Sequence, residues 1–353
     1  MFKFVVLSAA LIAGGFGNPL SKNEFSYENK DTMYFPDSRG NLYLINLKGA
    51  DDPSNRATEK PVIFNLFTRS NPDTAQVLVL GDKENLKNSN FNPAHPTRFT
   101  VHGWMSEQDN PFNSIIREAY LEQGEFNVIV VDWTASSNTI NYISAVNAVT
   151  PTALKVAEMI DFFSRKCRNQ TNDVHMAGHS LGAHVVGVAG RNVKSGKIHT
   201  VVGLDPALPL FSISNPEKRI DTNSAEYVEI IHTNGGTLGF LEPLGHADFY
   251  PNGGKKQVGC ENDFAGSCSH SRSFQYFTES LSSKAAFWSW NCLSYDELVD
   301  GTCHVINEMM PMGTLRGVET NHNKAKGIFL NKTNKELPFA KGQPIGDSST
   351  IVV

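Results

Sequence analysis

Charge is scarce in this sequence, and cysteine is scarcer. Charged residues make up 19% of the 353 positions, and the net charge is −5 with a pI near 6.1. Without an excess of basic residues the chain lacks the electrostatic footprint of a nucleic-acid-binding protein. Five cysteines in a chain of this length exclude a small disulfide-dense scaffold and leave room for a few stapling disulfides.

Long apolar runs are also rare, and the most apolar segment lies at the start of the chain. Residues 1–17 contain one Lys, an apolar stretch and small residues before Asn18, which is the pattern of a secretory signal peptide. A membrane anchor is the weaker interpretation because the run is well short of the roughly 20 residues that span a bilayer. No later stretch approaches that length. We therefore expect a secreted, extracellular protein.

The segment after the signal peptide is polar. Residues 18–56 are predicted to be an irregular N-terminal extension or pro-segment with cleavage near Arg56, and the main folded domain is predicted to span 57–353. The glycosylation sequons at Asn169 and Asn331 agree with export, although such triplets are also common by chance.

Spacing suggests how the cysteines pair. Cys260 and Cys268 are close in sequence, as are Cys292 and Cys303, and we predict these two disulfides, while other pairings stay open. Cys167 is then left over. We expect it to be a buried, inert thiol, with an intermolecular bridge as the alternative.

Apolar segments and amphipathic helices alternate along the chain after residue 61. Hydrophobic residues make up 40% of the sequence, which is enough for one large α/β domain. Helices are predicted from Pro111 onward and over 151–166, and strands over 62–69, 77–80, 97–104, 126–133, 174–177, 200–204 and 227–231. This alternation predicts a mostly parallel sheet with helices on both faces.

One short segment has the pattern of a catalytic nucleophile. The apolar run 174–177 meets the segment 178–182 (GHSLG), and a stretch rich in Ala, Val and Gly follows. Glycines two before and two after a serine suit a strand-to-helix turn so sharp that a β-carbon would collide with backbone. The pattern alone occurs by chance in many chains, but this context favours Ser180 as a nucleophile. The amide of Leu181, at the helix start, can then donate to an oxyanion.

A serine nucleophile needs a base, and the base needs an acid that fixes its tautomer. In a parallel sheet these residues come from loops at the carboxyl ends of strands. Asp205 directly follows the predicted strand 200–204 and is predicted to be the acid. Asp221 and Asp248 are the alternatives, and an Asp-Pro turn without a catalytic role would also explain Asp205.

Eleven histidines compete for the role of the base. His270 lies downstream of Asp205, so the order of Ser180, Asp205 and His270 matches that of the α/β hydrolases. The other histidines considered are His179, His184, His232 and His246. His179 and His184 flank the nucleophile on its own turn and helix, where side chains rarely turn back on it. His232 and His246 stay open as alternatives for the base.

A second oxyanion donor is expected from the loop after an earlier strand. The segment 102–104 (HGW) ends the predicted strand 97–104, where Gly103 allows close approach and the Trp104 amide can point at the site. An ordinary strand-end turn with a packing Trp explains the same residues equally well until Ser180 is accepted.

Taken together, these motifs resemble the animal pancreatic lipase family, which includes neutral lipases and secreted phospholipases A1. The resemblance runs from about residue 60 to about residue 340. It rests on HGW at 102–104, VVDW at 130–133, GHSLGAH at 178–184, GLDPALPLF at 203–211, IHTNGG at 231–236, HADFYPNGG at 246–254 and CSH at 268–270. The resemblance implies an α/β-hydrolase fold. It also implies that Ser180, Asp205 and His270 form the triad and that the Trp104 and Leu181 amides form the oxyanion hole, which raises His270 above its rivals.

The resemblance also bears on the substrate. In the family a lid lies between the two cysteines numbered 260 and 268 here, and only the seven residues ENDFAGS remain between them. The loop 233–245 is short as well, so we expect an open, wet mouth that admits a polar lipid. The chain stops soon after residue 342, so we expect no C-terminal β-sandwich and no colipase partner.

Calcium is not expected. Some relatives hold this ion with acidic residues after the catalytic Asp; here Arg219 and Asp221 remain, but Ser224 stands where the pattern has an acid. With one hard oxygen ligand missing, we predict no metal and no other cofactor.

The sequence thus predicts a secreted serine ester hydrolase that acts on lipids at a lipid–water interface, as a phospholipase A1 releasing the sn-1 fatty acid. A neutral triacylglycerol lipase or galactolipase is the alternative among enzymes. A lipid-binding or yolk-type storage protein without catalysis is the alternative of another class, and the intact triad argues against it.

Overall fold

A computed structural model describes residues 31–37, 41–49, 60–107, 110–167, 171–263, 265–300, 305–313 and 324–343. The predicted signal peptide at 1–17, the proposed cleavage at Arg56, and residues Asn169 and Cys303 lie outside the described residues.

The described residues form thirteen strands, most of which belong to one large sheet. They are β1 (Thr32–Pro36), β2 (Leu42–Asn46), β3 (Ile63–Phe67), β4 (Gln76–Leu78), β5 (Thr97–Val101), β6 (Asn127–Asp132), β7 (Val174–His179), β8 (Thr200–Leu204), β9 (Tyr227–Ile231), β10 (Ala247–Pro251), β11 (Phe287–Cys292), β12 (Val305–Met312) and β13 (Gly327–Asn331). The helices are α1 (Lys83–Lys87), α2 (Pro111–Gln123), α3 (Thr134–Ser137), α4 (Tyr142–Asn147), α5 (Val149–Cys167), α6 (Leu181–Asn192), α7 (Ser267–Ser282) and α8 (Tyr295–Val299).

The large sheet has 11 strands in the order β12-β11-β13-β10-β9-β8-β7-β5-β6-β3-β4. From β13 to β6 every neighbouring pair is parallel, and at both edges the outer strands pair antiparallel. This is the mostly parallel sheet that the alternation of strands and helices predicted.

Both faces of the sheet are covered by helices. Along β6, Ile129 and Val131 pack in the core on the side of α5 and α6, whereas Val128 and Val130 pack in the core on the side of α2 and α7. A strand buried on both faces reads as a continuous apolar run, as 126–133 does. Helix α2 begins where Asn110 accepts a hydrogen bond from the Asn113 amide and Pro111 occupies the first turn.

The segment predicted to be irregular contains a β-hairpin. Strands β1 and β2 pair antiparallel, and Met33, Phe35, Ile45 and Leu47 are buried in the core on the side of α5 and α6. The prediction of irregular structure is therefore wrong for residues 31–37 and 41–49, because alternate apolar side chains there pack on the core. Removal of a pro-segment stays a prediction.

Candidate active site

Ser180 lies between β7 and α6, on the sharp turn that the glycine spacing predicted. Its φ of 57° and ψ of −121° are a strained conformation for a residue with a side chain. A β-carbon on Gly178 would collide with the carbonyl group of Gly182, and one on Gly182 would collide with that of Val101. The two glycines therefore allow the turn and let α6 pack against the end of β5.

Asp205 and His270 are in direct contact. Asp205 follows β8 and is fully buried, and its Oδ2 lies 2.6 Å from His270 Nδ1. Its Oδ1 accepts hydrogen bonds from the backbone amides of Thr233 (2.7 Å) and Asn234 (2.9 Å). A carboxylate held in this way orients the imidazole, with the Nδ1 proton toward Asp205 and Nε2 left for the nucleophile.

The remaining ring nitrogen of His270 belongs to the same cleft as the serine. Nε2 is buried and has no hydrogen-bond partner within the described part of the chain. Ser180 and His270 line one cleft together with Gly103 and Trp104. The structure thus brings the predicted nucleophile, base and oxyanion loop to a single place.

One predicted oxyanion donor, Leu181, follows Ser180 in the chain, and the other, Trp104, follows a glycine that packs against Ser180. Leu181 is the first residue of α6, where a backbone amide has no acceptor within its own helix. On the other side, Gly103 lies so close that a β-carbon there would stand 2.9 Å from Ser180 Cβ. The indole Nε1 of Trp104 donates to the Thr139 carbonyl (2.8 Å), which anchors this loop.

The rivals His232 and Asp248 form a buried pair of their own. His232 Nε2 lies 2.9 Å from Asp248 Oδ1, and His232 Nδ1 lies 2.7 Å from the Phe240 carbonyl. Asp248 also accepts hydrogen bonds from the amides of Leu244 and Gly245. Both ring nitrogens of His232 are engaged, so neither is available to Ser180, and the pair holds the loop before β10.

The other rivals are also engaged elsewhere. His246 Nδ1 accepts from the Val228 amide (3.0 Å), and burial together with Lys197 and Lys326 lowers its pKa. His184 is fully buried and bonds the Ala207 carbonyl through Nε2 and the Ile220 amide through Nδ1. Burial lowers the pKa of His184 to about 3, so it is a neutral side chain that joins α6 to the segment after β8.

His179, which the sequence analysis set aside as a base, is a direct neighbour of His270. Its ring centroid lies 4.4 Å from that of His270, and its Nε2 lies 3.2 Å from the His270 carbonyl. Burial and then the proximity of His270 lower the pKa of His179 well below its ordinary value. A neutral His179 places no positive charge beside an imidazolium on His270.

The segment compared above with a calcium site is filled by protein groups. The Asp221 carboxylate pairs with the Arg191 guanidinium and accepts from the Asn223 amide (2.9 Å). The Ser224 hydroxyl accepts from the Asp221 amide (3.1 Å). A guanidinium already supplies the positive charge that this carboxylate needs, so the residues present do not fit a calcium ion.

Cys260 and Cys268 form the predicted disulfide. Cys292 is also disulfide-bonded, and its predicted pairing with Cys303 stays a prediction.

The sequon at Asn331 is not accessible, because this side chain lies on β13 and is only 1% exposed. This sequon therefore does not support export, since a bulky surface modification cannot be attached to a buried amide.

The catalytic side chains lie below the surface, beside a small cavity. Ser180 is 3% exposed and His270 is 6% exposed, and the cavity beside them is about 60 Å³. The cleft is lined by Ser267 of the short disulfide loop and by Phe35, Pro36 and Asp37 of the N-terminal hairpin. The hairpin is therefore a wall of the cleft that the sequence did not indicate, and the open mouth stays a prediction.

The parallel sheet with its nucleophile turn, buried acid and downstream histidine defines an α/β hydrolase. Residues 45–339 match the family model described as Lipase, and the chain belongs to the animal pancreatic lipase family. Among the described residues, no helix is both long enough and apolar enough to cross a membrane.

Three relatives show how close the similarity is. Pancreatic lipase-related protein 2 of Myocastor coypus is 33% identical over 262 residues, which cover 68% of this chain and 55% of that protein. Pancreatic triacylglycerol lipase of the same species is 32% identical over 263 residues, which cover 68% of this chain and 57% of that protein. The human inactive pancreatic lipase-related protein 1 is 33% identical over 262 residues, covering 68% and 56%. The chain therefore spans about half the length of these relatives.

Proposed function

We propose that this protein is a secreted serine hydrolase of carboxylic esters in lipids. Similarity alone does not decide between activity and inactivity, because a relative named as inactive matches as well as the others do. The observation that carries the proposal is the Asp205–His270 contact of 2.6 Å, in the cleft that also holds Ser180. Secretion is supported by the signal-peptide pattern and the Cys260–Cys268 disulfide.

In the proposed first step, His270 Nε2 takes the proton of the Ser180 hydroxyl as its oxygen attacks the ester carbonyl. The Trp104 and Leu181 amides hold the oxyanion of the tetrahedral intermediate. The intermediate collapses, the alcohol portion leaves with the proton from His270, and an acyl-enzyme remains. Water then gives a proton to His270 and attacks the acyl group. His270 returns that proton to the Ser180 oxygen as the fatty acid leaves, which restores both residues.

Asp205 and His179 support this cycle in different ways. The Asp205 carboxylate fixes the imidazole tautomer and stabilises the imidazolium that forms twice in each turnover. His179 contacts the same ring while staying neutral, because burial lowers its pKa. A second cation beside His270 would oppose formation of the imidazolium.

We propose a phospholipid as the substrate, with release of the sn-1 chain at a lipid–water interface. The loop between Cys260 and Cys268 is too short to build an amphipathic flap, and this shortness supports a polar lipid in a family that includes phospholipases A1. We propose neither a colipase partner nor a metal cofactor.

The test uses phosphatidylcholine with different acyl chains at sn-1 and sn-2, with triolein and a galactolipid beside it. The expected result is release of the sn-1 chain by the wild-type protein and loss of hydrolysis, by about a millionfold in kcat, in Ser180→Ala. Cleavage of triolein alone would retain the serine mechanism and overturn the choice of substrate.

Labelling with a fluorophosphonate probe separates the enzyme from a binding protein. The probe should attach to Ser180 in the wild-type protein and not to Ser180→Ala. Absence of both labelling and hydrolysis would favour a lipid-binding or storage protein. Full hydrolysis by Ser180→Ala would contradict the assignment of the nucleophile.

A further inference from the structure

The N-terminal hairpin, residues 31–37 and 41–49, reaches the catalytic cleft. Phe35, Pro36 and Asp37 line the same cleft as Ser180 and His270. The hairpin is thus a wall of the site as well as part of the core.

Apolar burial and hydrogen bonds stabilise the hairpin. The hairpin residues Met33 and Ile45 are 1% and 2% exposed and pack in the core. At the end of β1, the Asp37 carboxylate accepts hydrogen bonds from the Asn41 amide (2.8 Å) and from the Asn41 side chain (2.9 Å). Apolar burial along the strands holds the hairpin against the catalytic domain, and the Asp37–Asn41 hydrogen bonds join its two strands.

Phe35 connects the hairpin to the oxyanion loop. Its ring centroid lies 5.0 Å from that of Trp104 in an edge-to-face arrangement and 4.9 Å from that of Tyr142. The Phe35 side chain is 2% exposed, so the aromatic rings leave little free space between them. Edge-to-face aromatic pairs of this kind are stabilising beyond the area they bury.

The free space beside Ser180 is small for a lipid. The cavity of about 60 Å³ is well below the roughly 300 Å³ at the lower end of ordinary ligand sites. Its apolar lining includes Phe35 and Pro36 from the hairpin, and Phe112 and Phe274 from α2 and α7. A fatty acyl chain suits this lining chemically, and space is what limits its entry.

We propose that Phe35 and Pro36 determine the acyl selectivity of the enzyme by restricting the space beside Ser180, an inference that rests on the proposed ester hydrolysis. The preferred substrate then carries an acyl group that the hairpin wall admits. Bulky groups react slowly because the ring of Phe35 occupies the space they need.

The test compares Phe35→Ala with the wild-type protein on p-nitrophenyl acetate and p-nitrophenyl laurate. Removal of the ring should raise the laurate-to-acetate ratio of kcat/KM about tenfold, the scale on which pocket shape discriminates substrates. Acetate is the internal reference, because loosening of Trp104 would slow both esters alike. An unchanged or lowered ratio in folded Phe35→Ala would overturn the proposal.

Two further variants make the comparison sharp. Leu44→Ala is the matched control, because Leu44 lies on β2 of the same hairpin and is 57% exposed; its ratio should stay at the wild-type value. Pro36→Ala changes the same wall without removing an aromatic ring, and it should shift the ratio in the same direction. It replaces Phe35→Ala if that variant does not fold.

Laurate binding gives a readout that needs no turnover. It is measured for Ser180→Ala and for the double variant that also carries Phe35→Ala. Titration calorimetry should show about tenfold tighter binding when the ring is absent, and equal or weaker binding would contradict the hairpin proposal. Failure of the proposed function would look different, since the wild-type protein would then hydrolyse neither ester and Ser180 would not react with the fluorophosphonate.

Discussion

At the scale of single residues, Gly103 packs closely against the nucleophile Ser180. A β-carbon on Gly103 would lie 2.9 Å from Ser180 Cβ, 3.2 Å from the His179 carbonyl oxygen and 3.4 Å from Ser180 Oγ. We predict that Gly103→Ala displaces Ser180 from the oxyanion donors. The expected loss in kcat is about 100-fold or more, the cost of losing one such donor, and the measurement is steady-state hydrolysis together with the rate of fluorophosphonate labelling.

Gly124→Ala is the control for this substitution. A β-carbon there would meet the Phe126 ring at 3.0 Å, and neither residue lines the catalytic cleft. Hydrolysis by Gly124→Ala should stay within a few-fold of wild type. Equal activity of Gly103→Ala and wild type would show that the loop carrying Trp104 is not packed on the nucleophile.

The residues predicted to carry out catalysis were the easiest to identify from the sequence. Ser180 is marked by its flanking glycines, and Asp205 by its place directly after a strand, because both follow from where a parallel sheet presents its loops. His270 depended on chain order and on the family resemblance, since eleven histidines offered the same chemistry. His179 was set aside as a base, and its contact with His270 depends on the packing of Phe112 and Phe274 around it, which spacing does not reveal.

At the scale of elements, the end of α6 is tied to the segment after β8 by one side chain. Arg191 pairs with the Asp221 carboxylate and donates to the Pro216 carbonyl (2.8 Å). The pair is mostly buried, with side-chain exposures of 21% and 12%. We predict that Arg191→Ala lowers the free energy of unfolding by about 2 kcal/mol, because a largely buried carboxylate loses its partner. Urea denaturation measures the change.

The control is an exposed ion pair. Lys155 and Glu158 have side-chain exposures of 36% and 55%, so Lys155→Ala should cost no more than about 0.5 kcal/mol.

In the wild-type protein, a chelator and added calcium should both leave the melting temperature unchanged, because Arg191 occupies the charge-balancing position. A chelator-induced drop in that temperature would contradict this account.

Elements were predicted well where periodicity is strong. The apolar runs 126–133 and 200–204 became β6 and β8, and α2 begins at the predicted cap. Helix α7 was not predicted, because its sequence SCSHSRSFQYFTESLS is rich in serine, a weak helix former, and packing rather than propensity stabilises it. The N-terminal hairpin was missed although two alternating segments flank a Gly-containing turn, because the polar stretches around them dominated the interpretation.

At the scale of the whole molecule, the parallel centre and the antiparallel edge of the sheet were predictable to different degrees. Strands connected by helices follow from alternation, whereas β11, β12 and β13 pair across long sequence separations that no local pattern specifies. One buried carboxyl group joins these two parts. Glu229 on β9 accepts hydrogen bonds from the Gly313 amide (2.7 Å) next to β12 and from the Tyr227 hydroxyl (2.9 Å).

This carboxyl group should make the stability of the molecule depend on pH. Glu229 is 2% exposed, and burial, only partly offset by the hydrogen bonds from Gly313 and Tyr227, raises its pKa from 4.5 to about 8. A carboxyl whose pKa is higher in the folded state binds its proton more tightly there, so its contribution to stability is complete below pH 4.5. The contribution is lost as pH rises from 4.5 toward 8. Over this range the carboxyl of the unfolded chain releases its proton, whereas the folded protein must either keep the proton or bury the charged carboxylate.

Glu229→Gln isolates this effect, since glutamine mimics the protonated carboxyl at every pH. The free energy of unfolding of the variant should be near that of wild type at pH 5. The difference should grow in favour of the variant toward pH 9, with a slope of at most about 1.4 kcal/mol per pH unit. Glu226→Gln makes the same charge change at an exposed position on the same segment and should show no such growth. Urea midpoints at pH 5, 7 and 9 measure all three proteins, and parallel profiles for wild type and Glu229→Gln would show that Glu229 is ionised in the folded state without cost.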